Sequence, residues 1–266
     1  MESKNTFILH ETEAFMRGEL DNVTVAHGRI VLDLVSGGHV PYGCYTSPAV
    51  PLPTFDALRV EEVARVIAEL AGMGVQVGVV MGGGNIWRGR FTDEMNPVSA
   101  DQMGMLATII NALAVQDAIL RQGVKATVFT PQEMTRFAEH YRADRAIERM
   151  ENGEIVLLAG GSGNPFFTTD TAAALRAVEL KADAVFKGTT VDGVYDSDPH
   201  KNPDAKLIRD ITYQEAIDRD LRVMDPSAFQ LCKEQKLPEI RVFNMDDLGN
   251  IQRVAQGEAI GTRVHG

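Results

Sequence analysis

Residues 155–178 read Ile-Val-Leu-Leu-Ala-Gly-Gly-Ser-Gly-Asn-Pro-Phe-Phe-Thr-Thr-Asp-Thr-Ala-Ala-Ala-Leu-Arg-Ala-Val. An apolar run, Ile155–Ala159, leads into a glycine-rich stretch, Gly160–Asp170, and a helix-like segment, Thr171–Val178, follows. That order is a buried strand, a loop and a helix. Gly160, Gly161 and Gly163 let backbone N–H groups approach a ligand closely, and the helix N-terminus behind them favours negative charge. Asn164, Thr168 and Thr169 add neutral hydrogen-bonding groups. A second glycine loop, Gly82-Gly83-Gly84-Asn85, follows another strand-like run, Val75–Met81. Two such loops on strand ends point to two phosphate-bearing ligands, and so to phosphoryl transfer.

Outward from these loops the pattern alternates helix and strand. Glu61–Ala71 places Val63, Val66, Ile67 and Leu70 on one helical face. Ser99–Gln122 reads as a long helix with Met103, Leu106, Ile110 and Leu113 at helical spacing. Ser99 and Gln102 form an S-x-x-Q capping box, and Gly123 is its stop. Strands are expected at Arg29–Gly37, Ala126–Phe129, Ile155–Ala159, Ala184–Lys187, Ile240–Asn244 and Thr262–Val264, with helices at Arg142–Met150 and Thr171–Leu180. Strands separated by helices imply an α/β fold, a mostly parallel sheet covered on both faces. Residues 1–28 read as a tail and 29–266 as one domain, with a Gly/Pro-rich loop over Gly37–Pro53.

The chain has 266 residues, 44% of them hydrophobic and 24% charged, which is the balance of a globular protein with a substantial core. Its net charge of −11 and lack of a basic stripe exclude general nucleic-acid binding. Cys44 and Cys232 form no disulfide or metal pattern, which makes a reducing cytoplasm the expected location. No run of about 18 apolar residues is read as a membrane span. The N-terminus has early acids and no long apolar core, unlike a secretory signal. No metal site is expected from the histidine spacing.

Four motifs carry a family resemblance: Gly82-Gly-Gly-Asn-Ile-Trp-Arg-Gly89, Ala100-Asp-Gln-Met-Gly-Met-Leu-Ala-Thr108, Gly161-Ser-Gly-Asn-Pro-Phe-Phe-Thr-Thr-Asp170 and Val191-Asp-Gly-Val-Tyr-Asp-Ser-Asp-Pro199. Arg222-Val-Met-Asp225 and Arg241-Val-Phe-Asn244 add to them. In this order, over about residues 55–264, the chain closely resembles the bacterial-type uridylate (UMP) kinases. The resemblance implies the amino-acid kinase fold, a three-layer α/β/α sandwich. No P-loop sequence is present. It further implies phosphorylation of UMP to UDP by ATP with Mg²⁺ bridging ATP phosphates. A homohexamer, activation by GTP and inhibition by UTP are implied as well.

Carried over position by position, the resemblance places Gly83 and Gly84 against the UMP and ATP phosphates, as against a plain tight turn. Arg88 matches a phosphate-binding arginine able to neutralise the transferring group. Asp101 matches the carboxylate for the UMP ribose, although an acid in the first helical turn is also favoured by the helix dipole. Ser162, Gly163, Asn164, Pro165, Phe166, Phe167, Thr168 and Thr169 match the segment around uracil and the α-phosphate, with one of the two phenylalanines expected in the core. Asp170 is either a helix cap or, as the resemblance implies, a group at the catalytic centre that helps orient the phosphate-binding lysines and metal, and Lys187 ends a strand in a phosphate role. Thr189, Tyr195 and Asp198, with Ser36 and Gly37, match the adenine-nucleotide site. Asp225 is left between ligand contact and loop organisation.

The N-terminal part departs from the family. Where the family carries a lysine contacting the transferring phosphate, the strand Arg29-Ile-Val-Leu-Asp-Leu-Val-Ser-Gly37 has Asp33, and Val35 is an insertion. At an effective dielectric of about 20 a unit charge at 4 Å contributes roughly 4 kcal/mol, so an anion facing ATP there would slow turnover. Three readings are open: a divergent paralogue, an altered reading of the gene, or another cation, Arg29 or Arg59, in the lysine's place. Active UMP kinase is the leading reading. A nucleotide-binding sensor or assembly subunit with little catalysis is the alternative. The nucleotide-type loop argues against a third, a kinase of carboxylates or carbamates.

Overall fold

A computed structural model describes residues 28–34, 57–87, 95–199, 201–221 and 223–266. The elements are β1 Arg29–Leu34, α1 Ala57–Gly72, β2 Gln76–Met81, α2 Pro97–Arg121, β3 Ala126–Thr130, β4 Glu139–His140, α3 Ala143–Glu151, β5 Ile155–Leu158, α4 Thr169–Glu179, β6 Ala184–Thr189, β7 Asp210–Thr212, α5 Tyr213–Asp218, α6 Pro226–Glu234, β8 Glu239–Asn244, α7 Gly249–Ala255 and β9 Thr262–His265. The strands form one sheet in the order β4-β3-β5-β2-β1-β6-β8-β9-β7. Its pairs are parallel from β4 across to β8, and β9 is antiparallel to β8.

Alternation along the strands sorts the core into two layers. Ile30 and Leu32 pack with Val66, Ile67, Ile119 and Ile251, from α1, α2 and α7. Val31 and Val185 face the other way, onto Met150, Ala173, Ala216 and Phe229, from α3, α4, α5 and α6. Helices therefore cover both faces, which is why β5 is buried along its whole length. The expected three-layer α/β/α sandwich is the observed architecture. The chain leaves β1 toward β2 on one side and reaches β6 on the other. β1 is thus where the strand order reverses, and ligands of open α/β sheets bind outside the C-terminal strand ends at such a point.

The long helix corrects the sequence reading in three ways. Asn96 caps it, its side chain accepting from Val98 N at 2.9 Å, with Pro97 in the first turn. The Ser99–Gln102 box does not form because the helix already starts upstream of it. Met103, Leu106 and Ile110 stand 37%, 48% and 46% exposed, while small residues such as Ala107 and Ala112 face the sheet. The contact is close: a Cβ added at Gly83 would lie 2.8 Å from both Ala107 Cβ and Gly104 O, so the bulkier side chains turn outward. Lastly, α2 is long and apolar enough to cross a membrane by length and composition, contrary to the sequence reading. Its apolar residues are divided between the protein core and the outer stripe, 44% of the most apolar window being buried. Gly123 ends the helix with φ +79°, as expected.

Of the expected tail, only Gly28 is among the described residues. It donates to Asp183 Oδ2 at 3.1 Å and accepts from Gln76 N at 2.8 Å. Ser36, Gly37, Arg88 and Cys44 also lie outside them.

Candidate active site

The parallel strands bring the ends of β1, β2, β5 and β6 to one edge of the sheet, and the candidate residues lie there. Asp33 and Lys187 are register partners on β1 and β6. Their odd positions place both side chains on the α4 face, together with Val31 and Val185. Lys187 Nζ donates to Asp33 Oδ2 at 2.9 Å and also to Asp170 Oδ1. Asp33 is wholly buried, and its Oδ1 has no hydrogen-bond partner among the described residues. Burial pushes the Asp33 carboxyl up from 3.8 to about 7, Lys187 opposing the shift and Asp170 adding to it. Burial alone would lower the Lys187 ammonium, but the two carboxylates outweigh it and raise it.

Asp33 stands near the C-terminal end of β1, where the sequence reading has it, but it does not face the site bare. The carboxylate is buried and paired. Nor does Arg29 take the missing lysine's place: it sits at the opposite end of β1, bonded to Gln76 Oε1 at 2.6 Å and Leu180 O at 2.6 Å. Arg59 reaches Met245 O at 2.7 Å, and Met245 N binds Thr189 O at the end of β6, so this cation lies at the correct edge.

The loop between β5 and α4 is held from three sides. Gly160 N donates to the buried Thr108 hydroxyl at 2.7 Å, and Phe166 N donates to Asp101 Oδ2 at 2.7 Å. Both acceptors come from α2. From α4, the buried Arg176 reaches Gly161 O at 3.3 Å while its guanidinium stacks 3.9 Å over the Tyr141 ring. From the third side Asp225 accepts from Thr168 Oγ1 and, at 2.9 Å, from Thr171 Oγ1. Asp225 also caps α6 through Ala228 N at 3.0 Å. Burial alone would raise its carboxyl, yet the hydrogen bonds from Ser227, Thr168 and Thr171 hold it below the usual range. Asp225 therefore joins the N-termini of two helices and organises the loop between them.

Asp170 is not the cap of α4. Thr168 is, accepting from Thr171 N, and Asp170 in the first turn is left to bind Lys187. Neither phenylalanine is in the core: Phe166 is 72% exposed with φ +73°, and Phe167 is 55% exposed. Gly163 has φ +88°, and a Cβ there would meet Pro131 at 2.9 Å. Among the described residues, Ser162 and Asn164 bond only within the loop.

Gly83 is buried against α2, and its carbonyl accepts from Ile86 N and Trp87 N, both at 2.9 Å. Asn85 and Asn111 bond to each other, and Asn111 also donates to Gly82 O at 2.7 Å, fixing this second glycine loop. Gly83, Asp101 and the 160–168 loop thus gather along the first half of α2. Thr189 ends β6 two residues after Lys187, and Tyr195 and Asp198 lie in the loop between β6 and β7. Tyr195 bridges to Leu207, and its hydroxyl lies 3.5 Å from Asp192 Oδ2. A cavity of about 170 Å³ opens beside this loop, lined by Asp192, Leu207, Arg209, Asn244 and Asn250 among others, though not by those three residues. Sequence reasoning missed Thr108, Arg176 and Thr171. A buried threonine and arginine on otherwise apolar helix faces were the available signal.

This constellation, a glycine loop at a helix N-terminus beside a buried lysine, is that of a protein handling phosphate groups. The amino acid kinase family model matches residues 51–244. A uridylate kinase of Parabacteroides distasonis is 51% identical over 212 residues, covering 79% of this chain and 89% of the relative. A uridylate kinase of Bacteroides thetaiotaomicron is 52% identical with the same coverage. Among solved structures, UMP kinase from Bacillus anthracis superposes with a TM-score of 0.82 at 33% identity, covering 90% of this chain and 96% of that one. UMP kinase from Ureaplasma parvum gives 0.78 at 32%, covering 90% and 98%. The chain belongs to the amino acid kinase family and, within it, to the uridylate kinases.

Proposed function

We propose that this chain transfers a phosphoryl group from Mg-ATP to UMP, giving UDP. The observation that carries the reading is the 160–168 loop, clamped by Thr108, Asp101 and Asp225 and feeding the N-terminus of α4 beside Lys187. Such a site has fixed N–H groups, a helix dipole and one ammonium, which suit positioning and charge neutralisation. Phosphoryl transfer needs little else from a protein, so the step is direct, from ATP to the UMP phosphate, with no phosphoenzyme.

In this reading Gly83, Asp101 and Ser162–Thr169 hold UMP, with Asp101 shared between the ribose and Phe166 N. Gly84, Thr189, Tyr195 and Asp198, with Ser36 and Gly37, hold the adenine nucleotide. Lys187 and Arg88 neutralise the transferring group, and Asp170 orients Lys187. Mg²⁺ arrives with ATP as part of the substrate. The exposed stripe Met103, Leu106 and Ile110 is the face on which a second copy packs, as a first step to a hexamer, and GTP and UTP act on that assembly. The buried free thiol of Cys232, pushed up to about 12 by burial, suits a reducing cytoplasm.

The test is calorimetric titration with UMP, CMP and AMP, followed by UDP formation with Mg-ATP. UMP should bind best, because the cytosine amine would face a loop donor and leave it unpaired, costing about 1–3 kcal/mol. Equal affinity for UMP and CMP, or no UDP, overturns the reading.

A further inference from the structure

A lysine that is to meet phosphates is here closed off by two carboxylates. Asp33, Lys187 and Asp170 form a triad that is net negative when both acids are ionised. Asp33 is wholly buried and Lys187 nearly so, leaving no water to screen either one. Among the described elements against Asp33, β6 supplies Lys187 and α4 supplies Asp170, while β2 (Gln76–Met81) carries no titratable side chain. Among the described residues Asp33 Oδ1 has no donor, and Lys187 is the one cation bonded to this carboxylate. An incoming phosphate competes with Asp33 for the same ammonium and repels the carboxylate that holds it. Both effects are relieved at once if the carboxylate becomes neutral, and the unpartnered oxygen is free to take the proton.

We propose that Asp33 is a positioning residue for Lys187: in the empty site it retains the ammonium, and as nucleotide phosphates engage Lys187 it takes up one proton from solvent. The inference rests on the nucleotide-kinase reading above. No bond other than O–H is made, and the proton returns to solvent when the product leaves. Burial already holds the Asp33 carboxyl near neutrality before any ligand arrives, so the uptake falls within the ordinary working range.

The full chain is titrated with Mg-ATP in buffers of differing ionisation enthalpy at one pH slightly above neutral. The slope of heat against buffer enthalpy counts protons taken up. The parent should take up a large fraction of one proton more than Asp33→Asn, which supplies the reference for protons exchanged by the nucleotide itself. Mg-ATP affinity of the parent should fall by up to ~tenfold per pH unit above the transition, the slope for one linked proton, and Asp33→Asn should flatten that fall. A merely structural Asp33 would change stability without changing the proton count. If Asp33→Asn does not fold, the parent's affinity profile decides alone, and a flat profile overturns the proposal. UDP formation with equal proton counts in parent and variant overturns it while leaving the kinase reading standing. A parent that binds no nucleotide overturns both.

Discussion

Phe166 gives its backbone N–H to Asp101 at 2.7 Å while its own ring stands in solvent, so one carboxylate of α2 holds a residue of the glycine loop in a left-handed conformation. A hydrogen bond to a charged group contributes about 1.5–3 kcal/mol. Asp101→Ala should therefore raise the KM for UMP by tenfold or more with a smaller change in melting temperature. Steady-state kinetics across UMP concentrations check this. An unchanged KM would remove Asp101 from the substrate side of the site.

Lys187→Ala leaves two carboxylates facing each other with no cation between them. Breaking a buried pair in this way costs about 3–5 kcal/mol. The variant should be inactive and also markedly less stable in denaturant at neutral pH. Because protonation relieves a lone Asp33, the stability loss should shrink in mild acid. A stable, inactive variant at neutral pH would mean that the triad is weaker than its geometry implies.

Asp33 also sets a pH dependence of stability. Its carboxyl lies near 7 in the folded chain against an ordinary 3.8, so the folded form keeps a proton that the unfolded chain has released. Its contribution to stability is therefore lost as pH rises from about 4 to about 7 and is level above. Asp33→Asn has no such slope. Melting curves of parent and variant should separate through this window, the variant gaining relative to the parent as pH rises. Parallel curves would sink the assignment.

Gly83→Ala pushes a methyl group to 2.8 Å from Ala107 Cβ and Gly104 O. Overpacking of this kind costs about 1–3 kcal/mol. The β2 loop should be displaced from α2, lowering both stability and turnover. Chemical denaturation paired with UDP assays would expose either failure.

Leu106→Glu with Ile110→Glu places charges on the exposed α2 stripe without touching the core. Sedimentation should show a smaller species than the parent, with each monomer still folded. An unaltered sedimentation profile would rule out the stripe as a self-association face.

The strand–loop–helix units were legible because their apolar runs are short, continuous and bounded by glycines. The outward stripe of α2 was not, since helical spacing reports a shared face and not whether that face meets the sheet. The short helices α5 and α6 were overlooked although their caps are written in the sequence: Thr212 and Glu215 form a reciprocal box, and Asp225 precedes Pro226. At Phe166, φ is positive where the residue type gives no hint of it. Asp33 was visible as a misplaced anion, but its partner became visible only through the β1–β6 register. The glycine loops and Lys187 were singled out by residue type and their place at strand ends, whereas Thr108 and Arg176 act through contacts that no local pattern encodes.

The central place of β1 bears on how the chain comes together during synthesis. Asp33 and Lys187 are 154 positions apart, so β1 has one neighbour, β2, available early and the other only much later. At about 5–20 residues per second, roughly 8–30 s of translation separate Asp33 from Lys187. Throughout that interval β1 has an open hydrogen-bonding edge, which is a template for pairing with other chains. Asp33 meanwhile sits in water as an ordinary ionised acid. That charge on the strand discourages premature pairing until β6 brings its lysine.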